Sequence, residues 1–515
     1  MTDATVESHP HRLQKGVLSV PNGIALAAAA MAPVLAVVLN APAAAPEAGL
    51  ALPLSFLISF IACLFIGNNV VQFSRRLPSA GSFYTFNSQG LGRGAGFFTG
   101  WLFSIGYGIL APGLFDAFGS FFHDYAVSTF NLNLPWWIYS LAALAIVVGL
   151  SIRSIRASVR IDLTLLSAEV IIFLILAVTA ILHAGHGNTI QAFVPSSAPK
   201  GVSGVGIGVV FGILSFIGFD AAATLGEETK NPRRNVPLSV AGALGAVGIF
   251  YVFVMYSLVA GYRLNDPKQL KAFINDANPF VTMAHQYTPW LLQPVELAAV
   301  FGLFSCFLAI HNTTVRIMFS MGRDRILPAA VGKVHPRWYS PYVAIFVLTG
   351  FTLVVGLSTG VWLTPGASGA YGFTGSIGTV AIVLVYMGSS FALIRYFWKL
   401  PERSMFKHVI LPALGVVALA YPLYAVAKPG QSWPYNLVFW IVVVWIVLGF
   451  ALYRYFLAKS PEKIAALGTF VAEDDLPLEE QPEALLTARA TSIQEPTVAD
   501  EHRGDFEETP GGAGN

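Results

Sequence analysis

This 515-residue chain is short of charge. Asp, Glu, Lys and Arg make up 11% of it, against about 25% in ordinary soluble domains, and 55% of the residues are hydrophobic. Most soluble folds are excluded by that shortage. Cysteine is scarce too: Cys63 and Cys306 both lie inside apolar runs, where a thiol packs as a small hydrophobe, so neither a disulfide framework nor a cysteine metal site is expected. A formal net charge of +2 gives no case for nucleic-acid binding. The chain also has no HExxH, paired-histidine or nucleophile arrangement at a common depth, so an enzyme is not expected, and no metal or other cofactor is called for.

What the chain has instead is apolar blocks of membrane length. A window of about 19 residues finds twelve. The first six run 17–39, 50–73, 94–122, 136–151, 161–182 and 204–225; the second six run 236–261, 295–321, 341–361, 373–398, 408–427 and 435–456. With the N-terminus in the cytoplasm, 22 Lys and Arg fall on the inner side and only Lys200, Arg263, Lys268, Lys271 and Lys428 on the outer side. This positive-inside bias predicts a multi-pass protein of the cell membrane with both termini cytoplasmic. The first block is read as a span, because no small-residue cleavage site follows it. From Pro461 onward the sequence is polar, acidic and rich in Pro and Gly, and a disordered cytoplasmic tail is expected over 461–515.

Two spans are interrupted. Pro33 stands near the middle of span 1, and span 6 carries Gly212, Gly218 and Asp220 in one block. Breaks at mid-membrane are tolerated only where the freed backbone groups face protein or a water-filled cavity. Placed at matching points of two halves that run in opposite directions, they point to an inverted-repeat transporter with its site at mid-membrane.

The run SFIGFDAAATLGEETKNPRRNVP, Ser215 to Pro237, resembles the signature of the amino acid–polyamine–organocation (APC) superfamily of permeases. NTTVRIMFSMGRDRILP, Asn312 to Pro328, and LPSAGSFYTF after span 2 fit the same family, and the likeness covers roughly residues 12 to 460. It implies an all-α integral membrane protein of twelve transmembrane helices: a five-plus-five inverted repeat, the LeuT-like fold, plus two C-terminal helices. On that reading residues 1–16 are a cytoplasmic segment, 17–183 the first repeat, 204–398 the second, and 407–457 spans 11 and 12. The implied activity is secondary active transport of an amino acid by alternating access, with no enzymatic step. Span 1 departs from the family's Gly-rich break with Ala30-Met31-Ala32-Pro33, which is similar to putrescine importers. A polyamine importer and an amino acid exchanger of the same fold therefore stay open.

An unwound helix offers N–H groups at one half-helix start and C=O groups at the other half's end, so it can seat a zwitterion without charged side chains. The substrate-binding candidates are Met31, Ala32, Pro33 and Val34 in span 1, and Leu214, Ser215, Phe216, Ile217, Gly218, Phe219 and Asp220 in span 6. A carboxylate is expected at the N-terminal end of the outer half of span 1. The amine is expected at the carbonyls of Met31, Ser215, Phe216 and Ile217. Phe216 and Phe219 either cover the ligand or pack between helices, and Leu214 gives the pocket an aliphatic roof.

Charges inside spans are functional candidates by default. Glu169 falls where some family members carry a lysine in place of a sodium ion. A carboxylate in that dry setting suits uptake and release of a proton; with Thr313 and Thr314 it could instead hold Na⁺. Of these coupling ions the proton is favoured over sodium. Asp220 is open to three roles: capping the inner half of span 6, binding a second amine, or gating the inner path. Arg316 is expected to pair with Glu227 or Glu228, and His311 to bond a neighbouring helix or relay a proton. Asp116, Asp162 and Glu296 read as interfacial, and Tyr107 and Tyr386 as lining either a cavity or a packing seam. The remaining partner expected is membrane lipid, touched by the Arg-rich turns at 153–160 and 233–234. Oligomeric state is left open.

Overall fold

The computed structural model describes residues 16–153, 155–274, 276, 279–363, 367–427 and 433–461. The early cytoplasmic segment and the predicted tail fall almost wholly outside those residues. The described chain is helical, and its one β-bridge joins Leu18 to Thr229 in parallel. Ten helical stretches among the described residues are long and apolar enough to cross a membrane.

In chain order the helices are α1 (Val20–Met31), α2 (Pro33–Ala48), α3 (Leu52–Ser74), α4 (Phe83–Leu91), α5 (Arg93–Gly108) and α6 (Leu110–Phe130). They continue with α7 (Trp136–Arg153), α8 (Ile155–His183), α9 (Gly201–Ser215), α10 (Pro232–Tyr262), α11 (Pro267–Ile274) and α12 (Pro279–Tyr287). The last five are α13 (Leu292–Arg323), α14 (Tyr342–Ser358), α15 (Ala367–Trp398), α16 (Leu411–Ala427) and α17 (Val438–Lys459). The apolar blocks of the sequence fall on these helices, singly or as a broken pair, except that 204–225 covers α9 and a 3-10 helix, Phe219–Leu225.

Burial sorts the helices. α1, α2 and α13 are covered almost all round, with Leu26 to Val38 and Leu303 to Ile317 largely out of contact with solvent. α8, α14 and α17 expose large apolar side chains along one flank, among them Ile171, Val178, Phe346, Val354, Trp440 and Val447. In water such flanks would aggregate, whereas in a bilayer they face hydrocarbon. α1, α2 and α13 thus stand in the centre of the bundle, and α8, α14 and α17 lie toward its lipid-facing side.

Small residues let the central helices approach closely. A methyl group at Gly208 or Gly212 of α9 would run into Ser55 or Ser59 of α3, and those two serines donate to the Val205 and Val209 carbonyls at 3.1 Å each. Helices that share an apolar solvent gain little from hydrophobicity, and they associate through such close contacts and hydrogen bonds.

Two placements from the sequence are corrected here. Asp116 and Asp162 read as interfacial, yet both are fully buried. Asp116 stands two turns into α6, under α14, and accepts a hydrogen bond from Thr359 Oγ1 at 2.9 Å. Asp162 is the eighth residue of α8, which begins at Ile155, well before the apolar block does, so the apparent span end is the third turn of a helix lying along α13. Ser305 of α13 donates to its Oδ1 at 3.3 Å.

Candidate functional site

The break in span 1 is a single residue. Ala32 adopts a left-handed conformation, φ 46° and ψ 68°, ending α1, and Pro33 opens α2 at its first position. The cause is local: the proline ring disfavours the right-handed helical region for the residue before it. An alanine held left-handed costs about 1–2 kcal/mol, which the surrounding packing must offset. The first turn of α2 then presents N–H groups from Val34 onward, while Pro33 supplies none.

Span 6 breaks over Phe216 to Gly218. α9 ends at Ser215, Gly218 sits at φ 112°, and a 3-10 helix covers Phe219–Leu225. A side chain at Gly218 is strained twice: that φ suits glycine, and a Cβ there would lie 2.7 Å from both the carbonyl carbon and oxygen of Ala30. The two breaks are therefore in backbone contact. Of the candidates, Met31, Ala32, Pro33, Val34, Ser215, Phe216, Ile217, Gly218, Phe219 and Asp220 are all buried, and Leu214 is half-buried.

The residue that joins the breaks was not among the candidates. Tyr251, midway along α10, directs its hydroxyl at the carbonyl of Met31 (2.9 Å) and the carbonyl of Ser215 (2.7 Å). One hydroxyl proton is shared between the last carbonyl of each outgoing half-helix. Its ring packs edge-on against Phe216, centroids 5.0 Å apart, and Phe216 stacks on Phe60 at 6.0 Å. Asn40 of α2 donates to the Ser215 hydroxyl at 2.8 Å. Two of the four carbonyls expected to meet an amine thus already accept from a tyrosine, and each keeps a second lone pair for a ligand. A tyrosine in an apolar run carries no local mark of this role. Its one legible signal is a polar handle at mid-span, which in hydrocarbon demands a partner.

Asp220 does not cap the inner half of span 6. Gly218 occupies the cap position and makes no side-chain bond, while Asp220 points sideways and accepts from Tyr107 (2.6 Å) and Tyr386 (2.5 Å) at Oδ1. Its Oδ2 has no partner. Phe219 and Phe83 each lie 5.2 Å from Tyr386, and Phe103 lies 5.3 Å from Tyr107, so the carboxyl stands in an aromatic surround. Tyr107 and Tyr386 therefore belong to one cluster with Asp220.

Glu169 is buried on α8 with neither oxygen hydrogen-bonded. It lies against Gly302 of α13, where a methyl group would collide with Oε2, and Val34 of α2 borders the same point. Thr313 and Thr314 are eleven and twelve residues further along α13, about 16 Å of helix rise. Thr314 spends its hydroxyl on the Ile310 carbonyl at 2.8 Å. Glu169 and the two threonines are therefore not brought together, and the sodium set read from the sequence is not one site. His311 makes the bland contact, with Ser151 at 3.4 Å.

One end of the central bundle is tied shut. Arg316 bonds both oxygens of Glu228, at 2.7 and 3.3 Å, and Arg323 bonds both oxygens of Glu227, at 3.0 and 2.9 Å. The backbone joins in: Val17 and Leu18 donate to the Glu228 carbonyl, and Lys230 donates to that of Leu18. The segments entering span 1 and leaving span 6 are thus fastened to each other and to α13.

The amino acid permease family model matches residues 25–472. Among curated proteins, the chain is similar to a methylthioribose transporter of Bacillus subtilis, 26% identical over 79% of this chain and 87% of the relative. A branched-chain amino acid permease of Bacillus subtilis is 25% identical over 79% and 86%. A low-affinity putrescine importer of Escherichia coli is 24% identical over 59% and 66%.

Proposed function

Because the chain belongs to the amino acid permease family, we propose that it moves an amino acid with an apolar side chain across the cell membrane by alternating access, driven by protons. It is a multi-pass membrane transporter and not an enzyme. The observation that carries the reading is the Tyr251 hydroxyl shared by the Met31 and Ser215 carbonyls, because it ties the two breaks into one seat. The carboxylate would meet the first N–H groups of α2, beyond Pro33, and the ammonium the carbonyl ends of α1 and α9. Met31, Val34, Leu214, Phe216 and Ile217 would hold the side chain by apolar contact, and the branched-chain specificity in one relative's name agrees with that lining.

We read twelve crossings arranged as two inverted repeats of five, 17–183 and 204–398, plus 407–457. Support comes from Val20–Ser74, whose 55 residues would span about 80 Å as one straight helix, far more than one bilayer core of about 30 Å. Counting that stretch twice and adding the shorter apolar helix Phe406–Tyr421 to the other nine gives twelve. An even number puts both termini on one side, and the Lys and Arg bias makes that side the cytoplasm. The end tied by Arg316 and Glu228 is then the inner one.

For the coupling ion we favour the proton at Glu169, since the two threonines that would complete a sodium site stand three turns further along α13 than the Gly302 that Glu169 touches. The test is uptake by proteoliposomes of labelled leucine, valine, lysine and putrescine under an imposed pH gradient, an imposed sodium gradient or neither. The reading predicts uphill accumulation of an apolar amino acid with the pH gradient alone. Accumulation of putrescine only, or drive by sodium only, contradicts it.

A further inference from the structure

The interface of α8 and α13 carries a line of polar contacts that the substrate seat does not use. At its middle, Glu169 lies against Gly302 with both carboxyl oxygens unpaired. Seven residues toward the Arg-rich end, about 10 Å of helix rise, Asp162 accepts from Ser305 at 3.3 Å and keeps Oδ2 unpaired. One turn further, Ser158 accepts from Asn312 Nδ2 at 2.7 Å. The Asn312 carbonyl accepts from Arg316 Nη1 at 3.0 Å, and Asn312 borders a cavity lined also by Ser151, Glu228, Arg316 and Ser340. The positions 169, 162 and 158 on α8 and 302, 305, 312 and 316 on α13 recur at sevens and at threes or fours, so each set keeps to one face of its helix.

Apolar packing would have closed this seam at lower cost. Buried unpaired carboxyl oxygens are expensive at this depth, and Asp162 binds nothing in the seat. We propose that Asp162 is the proton-relay residue between Glu169 and the inner face, and that the α8–α13 seam is a proton path separate from the substrate path.

The step balances as follows. The O–H of the Glu169 carboxylic acid breaks as its proton passes through intervening water, and an O–H forms on the Asp162 carboxylate, with the Ser305 hydroxyl steadying that group. Asp162 then gives the proton to water at the Ser158–Asn312 contact and the cavity beyond it, which leaves Asp162 anionic again and Glu169 ready to be reloaded. Among the described residues, Cys306 on α13 feels the charge of both carboxyls, and Tyr251 on α10 feels that of Glu169. At the end of the path stands the charged pair Arg316 and Glu228, 2.7 Å apart.

This inference rests on the reading of Glu169 as the coupling carboxylate, and the test separates the two. Proteoliposomes holding a pH-sensitive dye would be assayed for lumenal proton entry, for pH-driven uptake and for counterflow exchange. The probe is L-leucine, or the compound that the uptake panel selects. Asp162→Asn should slow proton entry and pH-driven uptake at least tenfold at neutral pH and leave counterflow within twofold of wild type. Asp162→Glu should restore most of the proton flux and shift the pH profile of uptake. If Glu169→Gln abolishes pH-driven uptake while Asp162→Asn keeps the wild-type rate, the relay is overturned and the coupling site stands. If Glu169→Gln keeps pH-driven uptake, the coupling site itself falls. Equal loss of counterflow and proton flux in Asp162→Asn, unrescued by Asp162→Glu, marks Asp162 as structural and overturns the relay.

Discussion

Replacing Tyr251 by phenylalanine removes one oxygen and little else, since the ring keeps its contacts with Phe216 at 5.0 Å and Phe56 at 5.9 Å. What is lost is the proton that the Met31 and Ser215 carbonyls share. Leaving buried acceptors unpaired costs about 1–3 kcal/mol in proteins at large, and measured hydrogen bonds between membrane helices reach only about 1.7 kcal/mol. The overlap, about 1–1.7 kcal/mol, corresponds to roughly 5- to 20-fold in an equilibrium constant. Because the bond sets the spacing of the two half-helix ends, that cost must be met again whenever a ligand bridges them. Substrate affinity in Tyr251→Phe should therefore fall by about 5- to 20-fold while the protein still folds, as read by equilibrium binding and by a monodisperse elution profile in detergent. Unchanged affinity would mean that the two carbonyls are held in register without Tyr251, and the reasoning would fail.

Gly218→Leu should abolish substrate binding, since its Cβ meets the Ala30 backbone at 2.7 Å and its φ of 112° suits glycine; wild-type affinity in that variant would remove span 6 from the site. Glu169→Gln should abolish pH-driven accumulation and spare counterflow, and equal loss of both would make Glu169 a binding or structural residue. Gly302→Ala should act in the same direction more weakly, by pushing the Glu169 carboxyl out of its place, with pH-driven uptake rate as the readout. Glu228→Gln leaves the buried Arg316 without its countercharge and should cost about 3–5 kcal/mol, visible as a lower thermal melting midpoint. A melting curve that matches wild type would show that the pair contributes nothing to the closed end.

The membrane-length helical character of the chain and the two interruptions were legible because a membrane allows so few backbone solutions. Pro33 marked the first break to within one residue, and the glycine at 218 marked the second. Pairing of Arg316 with Glu228 was also readable, since a buried guanidinium needs a carboxylate and only two stood near. Other features depend on registry between helices far apart in sequence, which composition does not encode. Tyr251 meets carbonyls 220 and 36 residues away. Of the three roles the sequence left open for Asp220, capping drops out only once its partners, Tyr107 and Tyr386, are seen to come from two other helices. Asp162 and Asp116 looked interfacial because the apolar blocks begin or end near them, while α8 and α6 run on past those limits. The separation of Glu169 from Thr313 shows the same thing: which turn of α13 faces Glu169 is set by packing against Gly302, a residue with no chemistry of its own.

The most direct measurement is an experimental structure of the protein with its transported substrate bound. The account predicts the ligand between Ala32 and Gly218, its carboxylate within hydrogen-bonding distance of the first N–H groups of α2 and its ammonium at the carbonyls of Met31 and Ser215, beside the Tyr251 hydroxyl. A ligand seated elsewhere, with α1 running into α2 or α9 into the following turn without interruption, would contradict it.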